Sequence, residues 1–477
     1  MTVAKLTGMN QVRYLGLLLA IMTAMGCATV GPSYRAPELP LPAAWHRAGA
    51  ADGLTTAVPA GDLSRWWQNL GDPLLTELIE AALAESTDLR SAQARLREAR
   101  ARRSLSGANL FPTLTASVAG SRSKGSAETG SGTTRELYSA GFDAGWEPDV
   151  FGGIRRGVEA AQAEQEASEA GLQGVQVSLA AEVALNYVEM RAFQARLAVA
   201  RNNLAGQSET LQLTDWRAQA GLVSSLNVEQ ARANREQTNA QIPSLETGSA
   251  EAGHRLAVLI GRAPGALAER LAAPAPIPVV PEQVAVGIPA DTLRQRPDVR
   301  AAERRLAAET ARVGQAMAAR YPDFSLNGSL GWEALTLGTL GGNALAHSLL
   351  ASLRGVIFDG GRLRQQVEIQ DAVREQALIG YEAVVLAALS EVENALVLLN
   401  NNRLRQAALR VAAEAARHAV LLARHRYAGG LIDFQTVLDT ERTVLTIEDN
   451  LASAEAEGAA ALIQLYKSLG GGWSRNT

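Results

Sequence analysis

The sequence contains few of the residue types that build catalytic and metal sites. Its 477 residues include a single cysteine, Cys27, which excludes a disulfide bond within the chain. The five histidines are scattered; His418 and His425 would share a helical face, but no cysteine or paired ligand accompanies them. No glycine-rich phosphate loop with its lysine occurs, and no acid, base and nucleophile form a recognisable motif. We therefore expect neither an enzyme nor a bound metal or cofactor.

Charge and hydrophobicity exclude two further classes of protein. Charged residues make up 20% of the chain, are mixed in sign and give a formal net charge of -4, so no basic surface for nucleic acid is expected. After the N-terminal segment, no apolar run reaches the roughly 18 residues that a transmembrane helix requires.

The N-terminus has the pattern of an export signal. Lys5 and Arg13 precede an apolar segment over residues 14–25, which is too short to span a bilayer comfortably. Small residues follow it up to Cys27. We therefore predict a signal peptide over residues 1–26.

The residues around Cys27 indicate how the mature protein begins. The segment Ala24 to Cys27 resembles a bacterial lipobox, which implies that Cys27 is lipid-modified, and the resemblance associates Ala28 with delivery to the outer membrane. Residues 27–62 contain several prolines, which bias the backbone to extended conformations, so we predict an extended strap. Asp72 is then predicted to cap the first helix.

Two long stretches without proline dominate the rest of the chain. Gly361–Tyr427 carries apolar residues at helical spacing, and its roughly 67 residues would form one helix about 100 Å long. Gly153–Ala218 is a second copy, and the correspondence continues along the chain at an offset of about 209 residues. We interpret the chain as two repeats, residues 63–262 and residues 297–470.

Each repeat is predicted to hold two shorter helices that can run end to end beside the long one. These helices are Pro73–Ala108 and Ser224–Ile260 in the first repeat, and Pro297–Ala319 and Asp433–Leu469 in the second. A proline-rich linker without helices, residues 263–296, is predicted to join the repeats. Residues 471–477 are predicted to be a C-terminal tail.

Each repeat also contains two segments in which apolar and polar residues alternate. The first repeat has a hairpin at about residues 111–150, whose strands flank a glycine- and serine-rich loop over residues 121–136. The second has one at about residues 322–358, with a less regular return strand over residues 349–358. Strands of roughly ten residues match the length of a transmembrane β-strand.

The apolar residues of these strands are the candidates for a lipid-facing surface. They are Leu114, Ala116, Val118, Phe142, Trp146, Phe324, Leu326, Leu330 and Trp332. The alternating pattern alone also allows a small soluble sheet that caps a helical bundle. Four strands cannot close a membrane barrel, which needs at least about eight, whereas three chains would supply about twelve.

At this point the motifs resemble a known family, the TolC-like outer-membrane factors, and within it the lipid-anchored NodT and OprM-type subunits of RND efflux systems. The resemblance rests on Cys27, Trp66-Trp67 with Asp72-Pro73, FDAGWEPDVFG from Phe142 to Gly152, RPDVR from Arg296 to Arg300, FDGGR from Phe358 to Arg362, and the segment Tyr427 to Arg442. It covers nearly all of the mature chain.

The resemblance implies a fold that is mainly α with a β-barrel portion. A long α-helical coiled-coil barrel would continue a transmembrane β-barrel shared between three protomers, each built from two structural repeats. It further implies a homotrimer in the outer membrane of a Gram-negative bacterium, anchored by lipid at Cys27. Its partners would be a periplasmic adaptor protein and an inner-membrane transporter of the RND type. The function would be that of a passive exit duct for a tripartite pump.

The resemblance also places a periplasmic gate after the second long helix. Gln435 and Asp439 are one helical turn apart, and a trimer would arrange each as a ring. Tyr427 and Arg442 would supply the contacts that hold the gate closed. In the first-repeat turn, Asn227 stands where some relatives have aspartate. Alternatively, Asp439 and Arg442 form only an exposed pair on one helix.

Two hypotheses from other classes remain open at this stage. A lipid-anchored periplasmic coiled-coil scaffold without a pore would explain the helices but not the alternating hairpins. An enzyme would need a cleft with converging catalytic residues, and the sequence shows none. The transported substrate is not encoded in any motif.

Overall fold

The computed structural model describes residues 29–46, 54–55, 63–281, 283–286 and 288–473. Cys27 and the predicted signal peptide lie outside the described residues. The helices and strands, in chain order, are α1 Pro73–Glu85, α2 Thr87–Ala108, β1 Thr113–Lys124, β2 Thr134–Trp146, α3 Gly153–Gln219, α4 Ser225–Asn239, α5 Gln241–Leu259, α6 Ala268–Leu271, α7 Pro289–Gln295, α8 Pro297–Ala318, β3 Asp323–Ala334, β4 Leu345–Arg354, α9 Arg362–Ala428 and α10 Phe434–Ser468.

The two long helices are confirmed. Helices α3 and α9 have 67 residues each, because no proline interrupts either segment. Aspartates in the two motifs cap their N-termini: Asp149 accepts hydrogen bonds from the Ile154 and Arg155 amides, and Asp359 from the Leu363 amide at 2.8 Å. The Leu363 and Gly361 backbone amides hold the pKa of the Asp359 carboxyl below its ordinary value. The motifs FDAGWEPDVFG and FDGGR therefore mark the N-termini of α3 and α9.

Two of the predicted shorter helices are each divided in two. The predicted helix Pro73–Ala108 breaks at Ser86, whose backbone is not helical. The Ser86 carbonyl then accepts a hydrogen bond from the Arg90 amide, which begins α2. The predicted helix Ser224–Ile260 breaks at Ala240, three residues before Pro243, which lacks the N–H that a continuous helix needs. Asp72 caps α1 as predicted: it accepts from the Leu74 and Leu75 amides at 2.9 and 3.0 Å.

The prediction that residues 263–296 contain no helix is wrong. Helices α6 and α7 lie in this segment; Leu267, which precedes α6, and Leu271, its last residue, are buried in the hydrophobic core. Pro289 occupies the first position of α7, where a missing N–H costs nothing. Between them, Val284–Ala285 pairs in parallel with Leu54–Thr55.

The described residues form two compact units. The first is drawn from the described residues within 29–38, 95–169 and 301–382, and the second from those within 39–94, 170–300 and 383–473. Each unit therefore contains segments of both sequence repeats.

The first unit holds the sheet and helix contacts made mainly by small side chains. Ala163 packs against Ala307 and Ala308, with Tyr34 of the strap beside them. Alanine allows the two helix backbones to approach closely, which matches the alanine-rich composition.

The second unit contains the main hydrophobic core. Its largest fully buried side chains include Trp66, Leu75, Leu78, Ile79, Tyr187, Leu256, Leu396 and Leu399. The Tyr187 hydroxyl donates to the free carboxylate oxygen of the cap residue Asp72 at 2.6 Å. The start of the predicted tail packs against this core, because the Gly472 amide donates to the Leu63 carbonyl at 2.9 Å.

The four longer strands form one antiparallel sheet in the order β1-β2-β3-β4. Strands β1 and β2 extend into the segment predicted as a loop, which shrinks to residues 125–133. Strand β4 begins four residues earlier than predicted and ends at Arg354 rather than Phe358. With that start, Leu345, Leu349, Ala351 and Leu353 fall on one face, while His347 on that face and Leu350 on the other interrupt the alternation. Among the described residues, no helix is long and apolar enough to cross a membrane.

Candidate functional site: a two-faced sheet and a helical turn

The predicted apolar strand residues all lie on one face of the sheet. Ala116 is opposite Phe142, Phe142 is opposite Leu330, and Leu330 is opposite His347. Directly paired residues in an antiparallel sheet share a face, and so do residues two apart. The set Leu114, Ala116, Val118, Phe142, Trp146, Phe324, Leu326, Leu330 and Trp332 therefore forms one surface, extended in β4 by Leu345, Leu349, Ala351 and Leu353.

This apolar face is uncovered in the single chain. Val118 is 84% exposed and Leu349 is 78% exposed. Contiguous exposed apolar surface of this kind marks contact with a membrane or with another protein.

The opposite face is polar. Its side chains bond across the strands: Ser325 to Ser352 at 2.6 Å, Ser329 to Ser348 at 2.7 Å, and the Ser117 hydroxyl to the Asp143 carboxylate at 3.3 Å. A sheet with one apolar and one polar face is suited to separate a lipid phase from water.

The sheet is open at both edges. Strand β1 pairs only with β2, and β4 pairs only with β3, among the residues that the structure describes. Such edges expose rows of unpaired backbone donors and acceptors, which lipid does not tolerate. Further strands are needed to complete a membrane sheet.

The second candidate site begins where the long helices end. Both ends close on glycine: Gly221 and Gly430 have φ of 73° and 71°. The Leu222 amide donates to the Arg217 carbonyl at 2.8 Å, and the Leu431 amide to the Arg426 carbonyl at 2.9 Å. This closure satisfies carbonyls at the helix end and needs the left-handed backbone that glycine adopts easily.

Helix α10 starts immediately after the second turn. Asp433 caps it by accepting from the Thr436 amide at 2.8 Å. Hydrogen bonds from the Thr436 side chain and backbone lower the pKa of Asp433. The orientation of the following turn of α10 is thereby set, and Gln435 and Asp439 both lie on its exposed side.

The predicted gate residues fall into separate environments. The Gln435 amide donates to the Asp439 carboxylate at 3.0 Å, so these two share a face as predicted. Arg442 does not pair with Asp439; its Nε donates to Oδ1 of Asn234 on α4 at 3.1 Å. Asn227 is half-buried at the start of α4 and accepts from the Ser224 hydroxyl at 3.2 Å.

Tyr427 is buried rather than exposed near Asp439. It is 2% exposed and packs against Phe434, with the guanidinium of Arg217 4.5 Å from its ring centre. Arg217 also donates to the Tyr427 carbonyl. The Tyr427 hydroxyl has no hydrogen-bond partner among the described residues. The structure thus brings Tyr427 to Arg217 and not to Asp439 or Arg442.

One buried charge in this region escaped the sequence prediction. Glu441 on α10 is 1% exposed and joins four helices. Its Oε1 accepts from the Thr210 hydroxyl at 2.6 Å and pairs with Arg424 at 2.9 Å, and its Oε2 accepts from the Asn234 amide at 3.3 Å. Burial raises the pKa of Glu441, opposed by Thr210 and Arg424.

A heptad pattern could have revealed Glu441. Arg424–Glu441, Arg417–Glu448 and Arg410–Glu455 are successive ion pairs between α9 and α10, at 2.9, 2.6 and 3.3 Å. Each step is seven residues back in one helix and seven forward in the other, as expected for antiparallel neighbours. The carboxylate side chains are 2%, 15% and 38% exposed in that order, so burial is greatest beside the turn.

Among the described residues, no group of three or more histidine, cysteine, aspartate or glutamate side chains is arranged to hold a metal ion.

Comparison with known proteins gives a consistent result. A model of the outer membrane efflux protein family matches residues 78–262 and again residues 288–471. Nodulation protein T of Rhizobium leguminosarum bv. trifolii is 32% identical over 457 residues, which cover 94% of this chain and 95% of that protein. Outer membrane protein OprJ of Pseudomonas aeruginosa is 30% identical over 461 residues, 95% of each chain.

A solved structure agrees with these relatives. The outer-membrane channel OprN superposes with a TM-score of 0.89 at 39% identity, over 94% of this chain and 100% of that one. The double match to the family model corresponds to the two repeats seen in the sequence. The chain therefore belongs to the outer membrane efflux protein family and serves in the outer membrane as the exit duct of an efflux pump.

Proposed function

We propose that three copies of this chain close one β-barrel of twelve strands in the outer membrane, with the apolar face toward lipid and the polar face toward the lumen. The observation that carries the proposal is the four-stranded sheet, which has one apolar face and two unpaired edges. Three such sheets joined edge to edge satisfy every edge strand, and twelve strands lie within the range known for membrane barrels.

Aromatic residues mark the two borders of the proposed lipid-facing band. Trp146 and Phe324 lie at one end of the strands, and Tyr138 and Trp332 lie at the other. Tyr138 and Trp146 are eight residues apart, which is about 27 Å along an untilted strand. At a tilt of about 40° it projects to roughly 21 Å across the membrane, close to the roughly 25 Å apolar band of outer-membrane barrels, which aromatic girdles flank.

We further propose that the duct is anchored by lipid at Cys27 and works with a periplasmic adaptor and an inner-membrane transporter of the RND type. No motif of this chain identifies either partner, so both are proposed because the chain belongs to this family. The absence of an energy-coupling motif supports this arrangement, because a duct without a nucleotide site depends on its partners for energy.

The start of α10 is proposed to form the resting gate. The exposed pair Gln435 and Asp439 would form two rings in a trimer, and a ring of carboxylates favours cations over anions. Arg442 lies on the same exposed side of the chain and is fixed by Asn234. Tyr427 is buried, and its contacts with Arg217 stabilise the turn on its interior side.

The decisive experiment is reconstitution of the purified chain. Heat-resistant trimers on denaturing gels together with discrete conductance in planar bilayers would support the duct. A coiled-coil scaffold without a pore would give oligomers but no conductance, and a chain that stays monomeric in lipid would contradict the shared barrel.

A further inference from the structure

We propose that Glu441 is a positioning residue of the gate and acts on Arg442 through Asn234. The proposal rests on the gate assigned above and adds the element that holds it. Oε2 of Glu441 accepts from Nδ2 of Asn234 at 3.3 Å, and Oδ1 of the same Asn234 accepts from Nε of Arg442 at 3.1 Å. A buried carboxylate is thus connected to an exposed arginine by one amide.

Hydrogen-bond chemistry makes this connection directional. Ionised glutamate only accepts hydrogen bonds, and arginine only donates them. The amide of Asn234 must therefore point its NH2 group at Glu441 and its oxygen at Arg442. No other orientation of the Asn234 amide satisfies both neighbours. The Glu441 carboxylate therefore determines which atom of Asn234 faces Arg442.

The carboxylate is itself rigidly held. Its other oxygen, Oε1, accepts from Thr210 on α3 and pairs with Arg424 on α9. The Arg424 guanidinium lies over Gly206, where a β-carbon would come within 2.4 Å of it. The arginine thus reaches Glu441 across the surface of Gly206, where no side chain stands in its way. Arg424 is the one charged group that contacts Glu441 directly among the described residues, and Thr210 and Asn234 are neutral.

The next ion pair along the same helices lacks this relay and provides a matched control. Glu448 accepts from Asn203 on α3 at 3.0 Å and from Arg417 on α9 at 2.6 Å. Asn203 donates further to the Val199 carbonyl within its own helix, not to an arginine. The two glutamates therefore have similar partners, but only Glu441 is connected to Arg442 by hydrogen bonds.

The test exchanges the direction of the hydrogen bonds. Glu441→Gln presents an NH2 group to Asn234, which must turn over and then presents its own NH2 group to Arg442. Asn234→Asp places two acceptors against each other. In the double variant Glu441→Gln/Asn234→Asp, glutamine donates to aspartate and aspartate accepts from Arg442, so the relay is rebuilt in reverse.

We expect each single variant to raise resting conductance in planar bilayers and the entry of a large antibiotic into cells, and the double variant to restore wild-type values. Glu448→Gln should behave as wild type. If the double variant conducts no less than either single variant, or if Glu441→Gln matches wild type, the relay is overturned. Should Glu441→Gln fail to assemble, a double variant that forms trimer with wild-type resting conductance supports the relay, and one that fails to assemble or conducts more refutes it.

A separate variant distinguishes failure of the relay from failure of the gate. Arg442→Ala removes the end point of the relay directly. Wild-type conductance in Arg442→Ala would remove Arg442 from the gate. Raised conductance in Arg442→Ala, with none in Glu441→Gln, would leave the gate in place and exclude only the relay.

Discussion

Gly141 of β2 and Gly331 of β3 lie directly opposite each other, where the hairpin of the first repeat meets the hairpin of the second. A β-carbon on Gly331 would lie 2.6 Å from the Ala140 carbonyl oxygen and 2.7 Å from the Gly141 α-carbon. The neighbouring backbone cannot yield as a side chain can, so the two hairpins join at a point where only glycine fits.

We accordingly expect Gly331→Ala to weaken the junction between the hairpins. Overpacking of this kind typically costs about 1–3 kcal/mol. Gly328→Ala is the control, because a β-carbon there would meet its nearest neighbour at an ordinary 3.7 Å. Urea titration of the vesicle-inserted protein should show a lower midpoint for Gly331→Ala alone. Equal midpoints for the two variants would show that the junction tolerates a methyl group.

The lipid-facing assignment predicts opposite responses on the two faces of the sheet. Phe142→Arg places a charge near the middle of the apolar face and should cost roughly 2–4 kcal/mol of folding free energy, whereas Leu326→Arg, opposite Trp146 at the border of the band, should cost less. Asn327→Arg, next to Leu326 but on the polar face, should be tolerated. The amount of heat-resistant trimer measures the effect, and greater sensitivity at Asn327 would reverse the assignment.

Asp143 should influence ion selectivity inside the barrel. Along the middle of the polar face it stands among Thr115, Ser117, Asn327 and Ser329, without a salt bridge to any described arginine or lysine. Three copies would give the lumen a ring of negative charge that favours cations. Asp143→Asn should lower the cation preference in 0.01 M salt, where the Debye length is about 30 Å, and have little effect in 1 M salt, where it is about 3 Å. A salt-independent effect, or no effect in dilute salt, would count against this role.

The gate assignment predicts that loss of Asp439 changes conduction. Asp439→Ala removes the proposed carboxylate ring and should reduce cation selectivity, while Gln435 loses its hydrogen-bond acceptor. Tyr427→Phe tests the buried position, since the hydroxyl that it removes has no partner in the single chain. Bilayer conductance at matched trimer levels is the measurement. Wild-type selectivity in Asp439→Ala would leave the ring without support.

Lipid modification of Cys27 remains a prediction from the sequence. Mass spectrometry of the purified protein should show an N-terminal Cys27 with attached acyl chains. Cys27→Ala should remove the lipid while still allowing assembly, because the barrel alone can hold the chain in the membrane. An uncleaved precursor with a free thiol would rule out the lipobox interpretation.

The long helices and the strand alternation could be predicted from the sequence because both depend on neighbours in the chain. The absence of proline and the 3.6-residue period are enough to define α3 and α9 to within about a residue at each end. The two-residue period likewise placed every predicted apolar strand residue on one face. The repeat, visible as an offset of about 209 residues, needed only comparison of the sequence with itself.

The local sequence pattern did not predict secondary structure correctly where contacts with distant segments determine it. Residues 121–124 begin the segment that the sequence predicts as a loop, yet they are strand because β2 pairs with each of them. Helix α6 sits in a proline-rich linker because Leu267 and Leu271 are buried in the core.

The buried site around Glu441 depended entirely on tertiary structure. Thr210, Asn234, Arg424 and Glu441 come from four helices, and Thr210 and Glu441 are 231 residues apart in the chain. Helical spacing from the buried Phe434 and Leu438 places Glu441 on the inner face of α10, but spacing alone identifies none of its partners. The sequence by itself determined which segments are helix and which alternate as strands, because backbone and side-chain preferences act over a few residues. Only the tertiary structure decided which side chains surround the buried carboxylate beside the proposed gate, because its desolvation is offset by partners from three other helices.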